Sequence, residues 1–323
     1  MEPYAGVREQ YLRFADEAAG ESPGFVAWAG SVAEDPEVLA WIDTLPGLKK
    51  QPNLVLAAAR WHGVPAPGPY AGLRDALLGD DGAVRATILA RSTQTNEVGR
   101  LATLLPAFAL AVPAGPVALI EVGASAGLNL FPERWGYRWS TTEGAVTLGA
   151  EPRLPCEVTG PAPLPRALPE VAWRAGVDLH PLDVTDPDAV AWLRTLVWPE
   201  QAERRERLDH AVAVARREPP RIVTGDLLTR LPDLVAEAVP HGTVVVFHSA
   251  VAAYLPGPDR ERMLDLVQGL VAEGHHWVSN EAPGIFPAVS ATGPAPTPRR
   301  FELALDGRVL AHTHGHGRDL RWL

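Results

Sequence analysis

One short stretch, Glu121-Val-Gly-Ala-Ser-Ala-Gly127, brings an acid, two glycines and a serine together directly behind an apolar run, Val117–Val122, and is followed by Leu128 and Asn129. Three chemistries compete for it. A dinucleotide fingerprint needs glycines at 123, 125 and 128, and Ser125 and Leu128 break two of the three. A phosphate loop fails too, because no Gly-Lys-Ser/Thr follows. Gly123-Ala-Ser-Ala-Gly127 does fit the G-x-S-x-G nucleophile elbow of serine hydrolases. Ser125 would then attack, with His248 or one of His312, His314 and His316 as base and Asp226 or Glu281 as orienter. Against this reading, the upstream sequence is helical where earlier strands should stand, and no second oxyanion loop of the H-G-G-G kind precedes it.

The third chemistry is an S-adenosylmethionine site. An acid at a strand end, Glu121, suits a sulfonium and an amino group. Gly123, Ser125 and Gly127 let the backbone approach a ligand, and a helix beginning after Gly127 would offer N–H groups to a carboxylate. Asp178, ending a second strand, would accept from ribose hydroxyls, and Asp226 with Leu227 would meet the adenine. Asn129 belongs to the same cofactor loop.

Other polar residues cluster at the ends of apolar runs. His248 and Ser249 follow Thr243–Phe247, and a histidine there can act as a base near neutral pH or hold the backbone in a structural role. Tyr254 either lines the same mouth or packs on a helix. Arg91-Ser-Thr-Gln-Thr-Asn-Glu97 is a polar insert in an apolar helix, so Arg91, Gln94, Asn96 and Glu97 are candidates for contacting a substrate; the bland alternative is a solvated turn. His312, His314 and His316 alternate and would share one face of an extended strand, but without a carboxylate they define no metal site, and none is assigned.

The elements that must position these residues fall into two groups. Residues 1–111 read as helices, with Tyr11, Phe14, Ala15 and Ala18 at helical spacing, Asp35-Pro36-Glu37 opening another helix, and a long apolar helix over about Thr87–Leu110. From residue 112 to 323, apolar runs at Val117–Val122, Val171–Leu179, Arg221–Thr224, Thr243–Phe247 and His276–Ser279 alternate with helical segments at Asp188–Val197, Glu200–Arg217, Leu231–Val239 and Asp259–Ala272. That alternation predicts an α/β fold with a mostly parallel sheet covered on both faces. Arg300–Leu305 and Arg308–Thr313 around Asp306-Gly307 predict a C-terminal antiparallel hairpin. About 134–169 reads as an inserted hairpin and loop, and Asp186 as the cap of the next helix.

From about Val117 onward the chain resembles the class I S-adenosylmethionine-dependent methyltransferases. More closely it is similar to a bacterial family of unknown function, in Arg91–Glu97, Glu121–Asn129, Val177–Thr185, Val197–Glu200 and His248–Tyr254. The resemblance implies a Rossmann-like domain behind an α-helical N-terminal cap, with S-adenosylmethionine as cofactor and an unknown small molecule as methyl acceptor. A serine hydrolase using Ser125, or a non-catalytic binding protein on the same fold, stands as the alternative.

The composition bounds the rest. The 323 residues are 46% hydrophobic and 21% charged, enough for a sizeable core, and the formal charge of -10 argues against a nucleic-acid partner. Cys156 is the one cysteine, so no disulfide forms within the chain. There is no apolar run of membrane-spanning length and no signal-peptide pattern at Met1, so a cytoplasmic protein is expected, with no membrane partner.

Overall fold

A computed structural model describes residues 6–323. They divide into two compact units: residues up to Thr95 together with Thr185–Glu206, and Asn96–Val184 together with Arg207–Leu323.

The first unit is helical. It contains α1 (Val7–Ala18), α2 (Pro23–Glu34), α3 (Pro36–Asp43), α4 (Pro52–Trp61), α5 (Tyr70–Leu78), α6 (Ala83–Ala90) and α8 (Pro187–Leu196). Capping follows local rules. Asp35 accepts from Glu37 N and Val38 N, and Asp186 accepts from Asp188 N at 2.9 Å, the cap expected for α8. Aromatic rings dominate the core, with Phe14, Phe25 and Trp198 in mutual contact and Trp61 edge-on to Trp192.

The second unit is built on one eleven-stranded sheet in the order β3-β2-β4-β11-β10-β9-β8-β7-β1-β5-β6. The strands are β1 (Pro116–Val122), β2 (Gly136–Thr141), β3 (Gly144–Leu148), β4 (Arg153–Thr159), β5 (Glu170–Asp178), β6 (Arg221–Thr224), β7 (Thr243–Ser249), β8 (His276–Glu281), β9 (Phe301–Leu305), β10 (Arg308–Thr313) and β11 (Asp319–Trp322). β6, β5, β1, β7 and β8 are mutually parallel, and β9, β10 and β11 run antiparallel in succession. The molecule is therefore a mixed α/β protein with a large, mostly parallel sheet.

Burial explains the parallel part. Every residue of β1 after Pro116 is buried, as a strand covered on both faces requires. On one face Ala118, Ile120 and Val122 meet Leu231 and Val235 of α10 (Leu227–Ala238) and Met263 and Val267 of α11 (Gly257–Ala272). On the other lies α7 (Leu101–Ala111), apolar all round, whose Phe108 ring stands 5.1 Å from that of Phe247. Remaining helices are α9 (Ala202–Arg217), within which the unit boundary falls, and the short α12 (Pro287–Ser290).

Four expectations need correcting. No single helix runs from Thr87 to Leu110: α6 ends at Ala90, residues 91–97 are not helical, and a 3-10 turn at Val98–Arg100 leads into α7. The Glu97 side chain caps the 3-10 turn by accepting from Gly99 N, a local competition with helix, and Asn96 spends its side chain on the distant amides of Ala126 and Leu128. α7 packs on the sheet, so the compact unit begins at Asn96 instead of 112. The segment at 134–169, expected as a hairpin and loop, supplies three strands that extend the same sheet beyond β11, and the β9–β10 hairpin lies inside that sheet. Finally, Gly127 is followed by a three-residue 3-10 turn, Leu128–Leu130, and not by an α-helix.

Candidate functional site

The carboxyl ends of β1, β5, β7 and β8 gather the polar residues singled out in the second unit. Leaving β1, the chain turns through three left-handed residues, Gly123 (φ 67°), Ser125 (φ 53°) and Gly127 (φ 69°). A Cβ on Gly123 would lie 2.6 Å from Val251 Cγ2, so glycine is required there for space as well as for conformation. Ser125 holds the same backbone region with a side chain, the kind of local strain that clusters at functional loops.

The loop is held by its own neighbours. Gly123 N and Ala124 N donate to Val177 O, Gly127 N donates to Ala124 O, and Ser125 N donates to Asp178 Oδ2 at 2.8 Å. Asn96 does the rest: its Oδ1 accepts from Ala126 N and Leu128 N, each at 3.1 Å, and its Nδ2 donates to Ala124 O. Every N–H from Gly123 to Leu128 therefore has a partner inside the protein. With no helix behind the loop, its backbone has no donors left for a ligand carboxylate, contrary to expectation.

Glu121 is different. It is 5% exposed, and Asn129 Nδ2 donates to its Oε1 at 2.9 Å. Its Oε2 and the Oδ1 of Asn129 have no hydrogen-bond partner. Burial pushes the Glu121 carboxyl up to about 8, against the lowering effects of Asn129 and Arg100, with Asp178 adding a small upward push. Arg100, 8% exposed, is fixed by Gly315 O at 2.7 Å and Ser249 O at 3.1 Å. A buried acid and amide thus carry two unsatisfied polar atoms at a strand end, an arrangement that calls for an explanation.

Asp178 accepts from Ser125 N on one oxygen and from His180 N on the other, both at 2.8 Å. Asp226 is exposed and caps α10 through Leu228 N, while Leu227 is buried beneath it in the core. That capping is local chemistry, and α10 starts at Leu227, four residues before the Leu231 expected from apolar spacing.

His248 is fully buried. Trp277 Nε1–H donates to its Nε2 at 3.0 Å, which places the ring proton on Nδ1, facing Glu281 Oε1 at 2.7 Å. Neither nitrogen keeps a free lone pair, so the arrangement serves structure and not proton abstraction. Glu281 Oε1 also accepts from Val251 N and Ala252 N, tying down the turn that presses on Gly123. Ser249 Oγ accepts from Asn280 Nδ2, and Tyr254 stands exposed on a 3-10 turn.

The remaining candidates are dispersed. Arg91 belongs to the helical unit, its guanidinium 4.4 Å from the Trp61 ring centre and 4.9 Å from that of Trp192, and paired with Asp188 at 2.6 Å. Gln94 is half-buried in the same unit, and Glu97 accepts from Gly99 N. His312 lies in β10 with Nδ1 against Thr297 Oγ1, whereas His314 and His316 lie beyond that strand's end, so the three do not share a strand face. Sequence reasoning missed the work of Asn96 on the loop and of Arg100 near Glu121. Their signal was a lone Asn and a lone Arg beside a strongly apolar helix.

No helix among the described residues is long and apolar enough to cross a membrane. No curated protein and no solved structure matches the chain. A family model does, over residues 8–322: the chain belongs to DUF2332, a family of uncharacterized proteins conserved in bacteria.

Proposed function

We propose that the carboxyl end of β1 binds S-adenosylmethionine and that the protein transfers its methyl group to a small-molecule acceptor. The observation carrying this reading is the buried Glu121–Asn129 pair, with an unsatisfied Oε2 and Oδ1, at the end of the central strand. The sheet around it supports the choice. In chain order the parallel strands run third, second, first, fourth, fifth, the order of doubly wound, Rossmann-like sheets, in which ligands sit at the carboxyl ends near the point where the order reverses.

The residues fit the cofactor at one end only. Glu121 and Asn129 suit its cationic, amino-bearing part, and the Asp178 carboxylate, ending the neighbouring strand β5, is the acid placed to meet ribose hydroxyls. The loop amides do not suit its carboxylate, because Asn96 and Asp178 already hold them. Bound there, the cofactor would supply a methyl group on a positively charged sulfur. Glu121 would give up its proton on binding and hold the positive charge through Oε2, while Asn129 Nδ2 keeps Oε1 in place. His248 would fix the β7–β8 ends through Glu281 and Trp277 without touching the acceptor. Catalysis would then rest on proximity and alignment, with Tyr254 the exposed side chain nearest in sequence to offer contacts to an acceptor.

One observation favours a second reading, a serine hydrolase: Ser125 has the positive φ of a nucleophile elbow. Titration with S-adenosylhomocysteine separates the two. Micromolar binding that is lost in Glu121→Ala supports the methyltransferase, and a ligand at a hundred times its Kd should stabilise the fold by about 2.7 kcal/mol. No heat, no thermal shift and labelling of Ser125 by a fluorophosphonate would replace it with the hydrolase. Neither response would leave a binding protein without catalysis.

A further inference from the structure

The loops at the carboxyl ends of the parallel strands use their donors within the protein. Besides the amides from Gly123 to Leu128, His180 N donates to Asp178 Oδ1 and Leu182 N to Ser125 O after β5, and Gly225 N donates to Asp178 O after β6. After β7, Ala250 N donates to Asn280 O, and Val251 N and Ala252 N donate to Glu281 Oε1. Arg100, the basic group whose charge acts on Glu121, is engaged as well, with Nε on Gly315 O and Nη1 on Ser249 O.

Acceptors, by contrast, stand open. Glu121 Oε2 and Asn129 Oδ1 are buried and unpartnered, and they belong to two groups already joined by the bond from Asn129 Nδ2 to Glu121 Oε1. The Asp178 carboxylate ends the neighbouring strand and opposes ionisation of Glu121. A ligand group that fits this place brings N–H donors and positive charge. S-adenosylmethionine brings an amine, but it carries a carboxylate on the same carbon. Seated beside Glu121 and Asp178, that carboxylate would lose water without gaining donors, and a desolvated, unpaired anion is costly.

We propose that the β1 site selects an adenosyl sulfonium that carries a primary amine and no carboxylate, which is decarboxylated S-adenosylmethionine, with Glu121 Oε2 and Asn129 Oδ1 sharing its ammonium. This selection rests on the cofactor reading above and narrows it. A primary ammonium has three N–H donors, so it serves both orphaned oxygens with one donor to spare. The carbon chain between sulfur and nitrogen is the same length with and without the carboxylate. The amine can therefore reach Glu121 without moving the sulfur, and the methyl group on sulfur is untouched. Specificity would come from the penalty on the wrong ligand as much as from contacts to the right one.

The test is calorimetric titration of the full chain at neutral pH with three compounds. S-adenosylhomocysteine carries amine and carboxylate, its decarboxylated counterpart carries the amine alone, and methylthioadenosine carries neither. The decarboxylated compound should bind about tenfold or more tightly than S-adenosylhomocysteine, and about tenfold or more tightly than methylthioadenosine. Glu121→Gln should bring it down to the affinity of methylthioadenosine. If S-adenosylhomocysteine binds as tightly as its decarboxylated counterpart, or more so, the proposal is overturned while the cofactor reading survives. If none of the three binds, both fall. An amine preference that persists in Glu121→Gln also overturns the proposal, because the ammonium would then be held elsewhere. Should that variant fail to fold, the three titrations of the wild type decide the matter without it.

Discussion

Glu121 and Glu281 are both buried glutamates at the ends of parallel strands, and both leave Oε2 without a partner. They are held very differently. Glu281 gives Oε1 to an imidazole N–H and two backbone N–H groups, whereas Glu121 has one side-chain amide. The acid at β8 therefore organises the fold, since its removal strands three donors. The acid at β1 organises almost nothing around it and is costly to ionise. The loop beside it is self-supporting through Asn96 and Asp178, so the open oxygen of Glu121 is what the binding proposal rests on.

The contrast can be broken most directly at Glu281. Glu281→Ala should lose about 3–5 kcal/mol in urea unfolding, the range for breaking a buried charged network, with three orphaned donors as the cause. If Glu121→Ala costs as much, the distinction between the two acids fails.

Gly123→Ala tests the link between their loops. With φ at 67° and Val251 Cγ2 2.6 Å from the new Cβ, it should cost about 1–3 kcal/mol. Adding Val251→Ala should recover only the steric part. Asn96→Ala removes the acceptor of two loop amides and should cost about 2 kcal/mol. It should also loosen hydrogen-exchange protection at Ala126 and Leu128 and leave the Glu281 turn unchanged.

Glu121 gives the comparison a pH signature. Its folded value, about 8, lies above the ordinary 4.5, so the native state holds the proton more tightly than the unfolded chain. The stabilisation is complete below the unfolded value and is lost as pH rises through about 8. Glu121→Gln should remove that loss, unfolding at a higher temperature than the wild type at about pH 9 while failing to bind S-adenosylhomocysteine. Binding of a cationic ligand to the wild type should strengthen with pH up to about 8, by at most about tenfold per unit, and then level off. The smallest effect belongs to Asp226→Ala, about 1 kcal/mol from a lost helix cap. Ligand affinity unchanged in that variant would confirm that Asp226 serves α10 alone.

Much of this was legible in the residues. Apolar runs such as Val117–Val122 and Thr243–Phe247 have no choice but burial on both faces. Asp35-Pro36 and Asp186-Pro187 announce helix starts through contacts within three residues. The acid, the glycines and the serine of Glu121–Gly127 marked a special loop, because positive φ leaves a compositional trace. These are properties of local chain chemistry and of hydrophobic periodicity, and a sequence states them without reference to anything distant.

What the tertiary structure decided is who answers whom. That Asn96 takes the amides a cofactor was expected to use, that Trp277 fixes the tautomer of His248, and that Glu302 faces Glu281 all depend on pairings between segments 29–32 residues apart or across strand register. The polar stretch at 91–97 looked helical because its neighbours are, and it lost that form to hydrogen bonds made elsewhere. Burial turns the same carboxylate into an anchor or a vacancy according to how many donors surround it. That number is set by packing, which no stretch of sequence contains by itself.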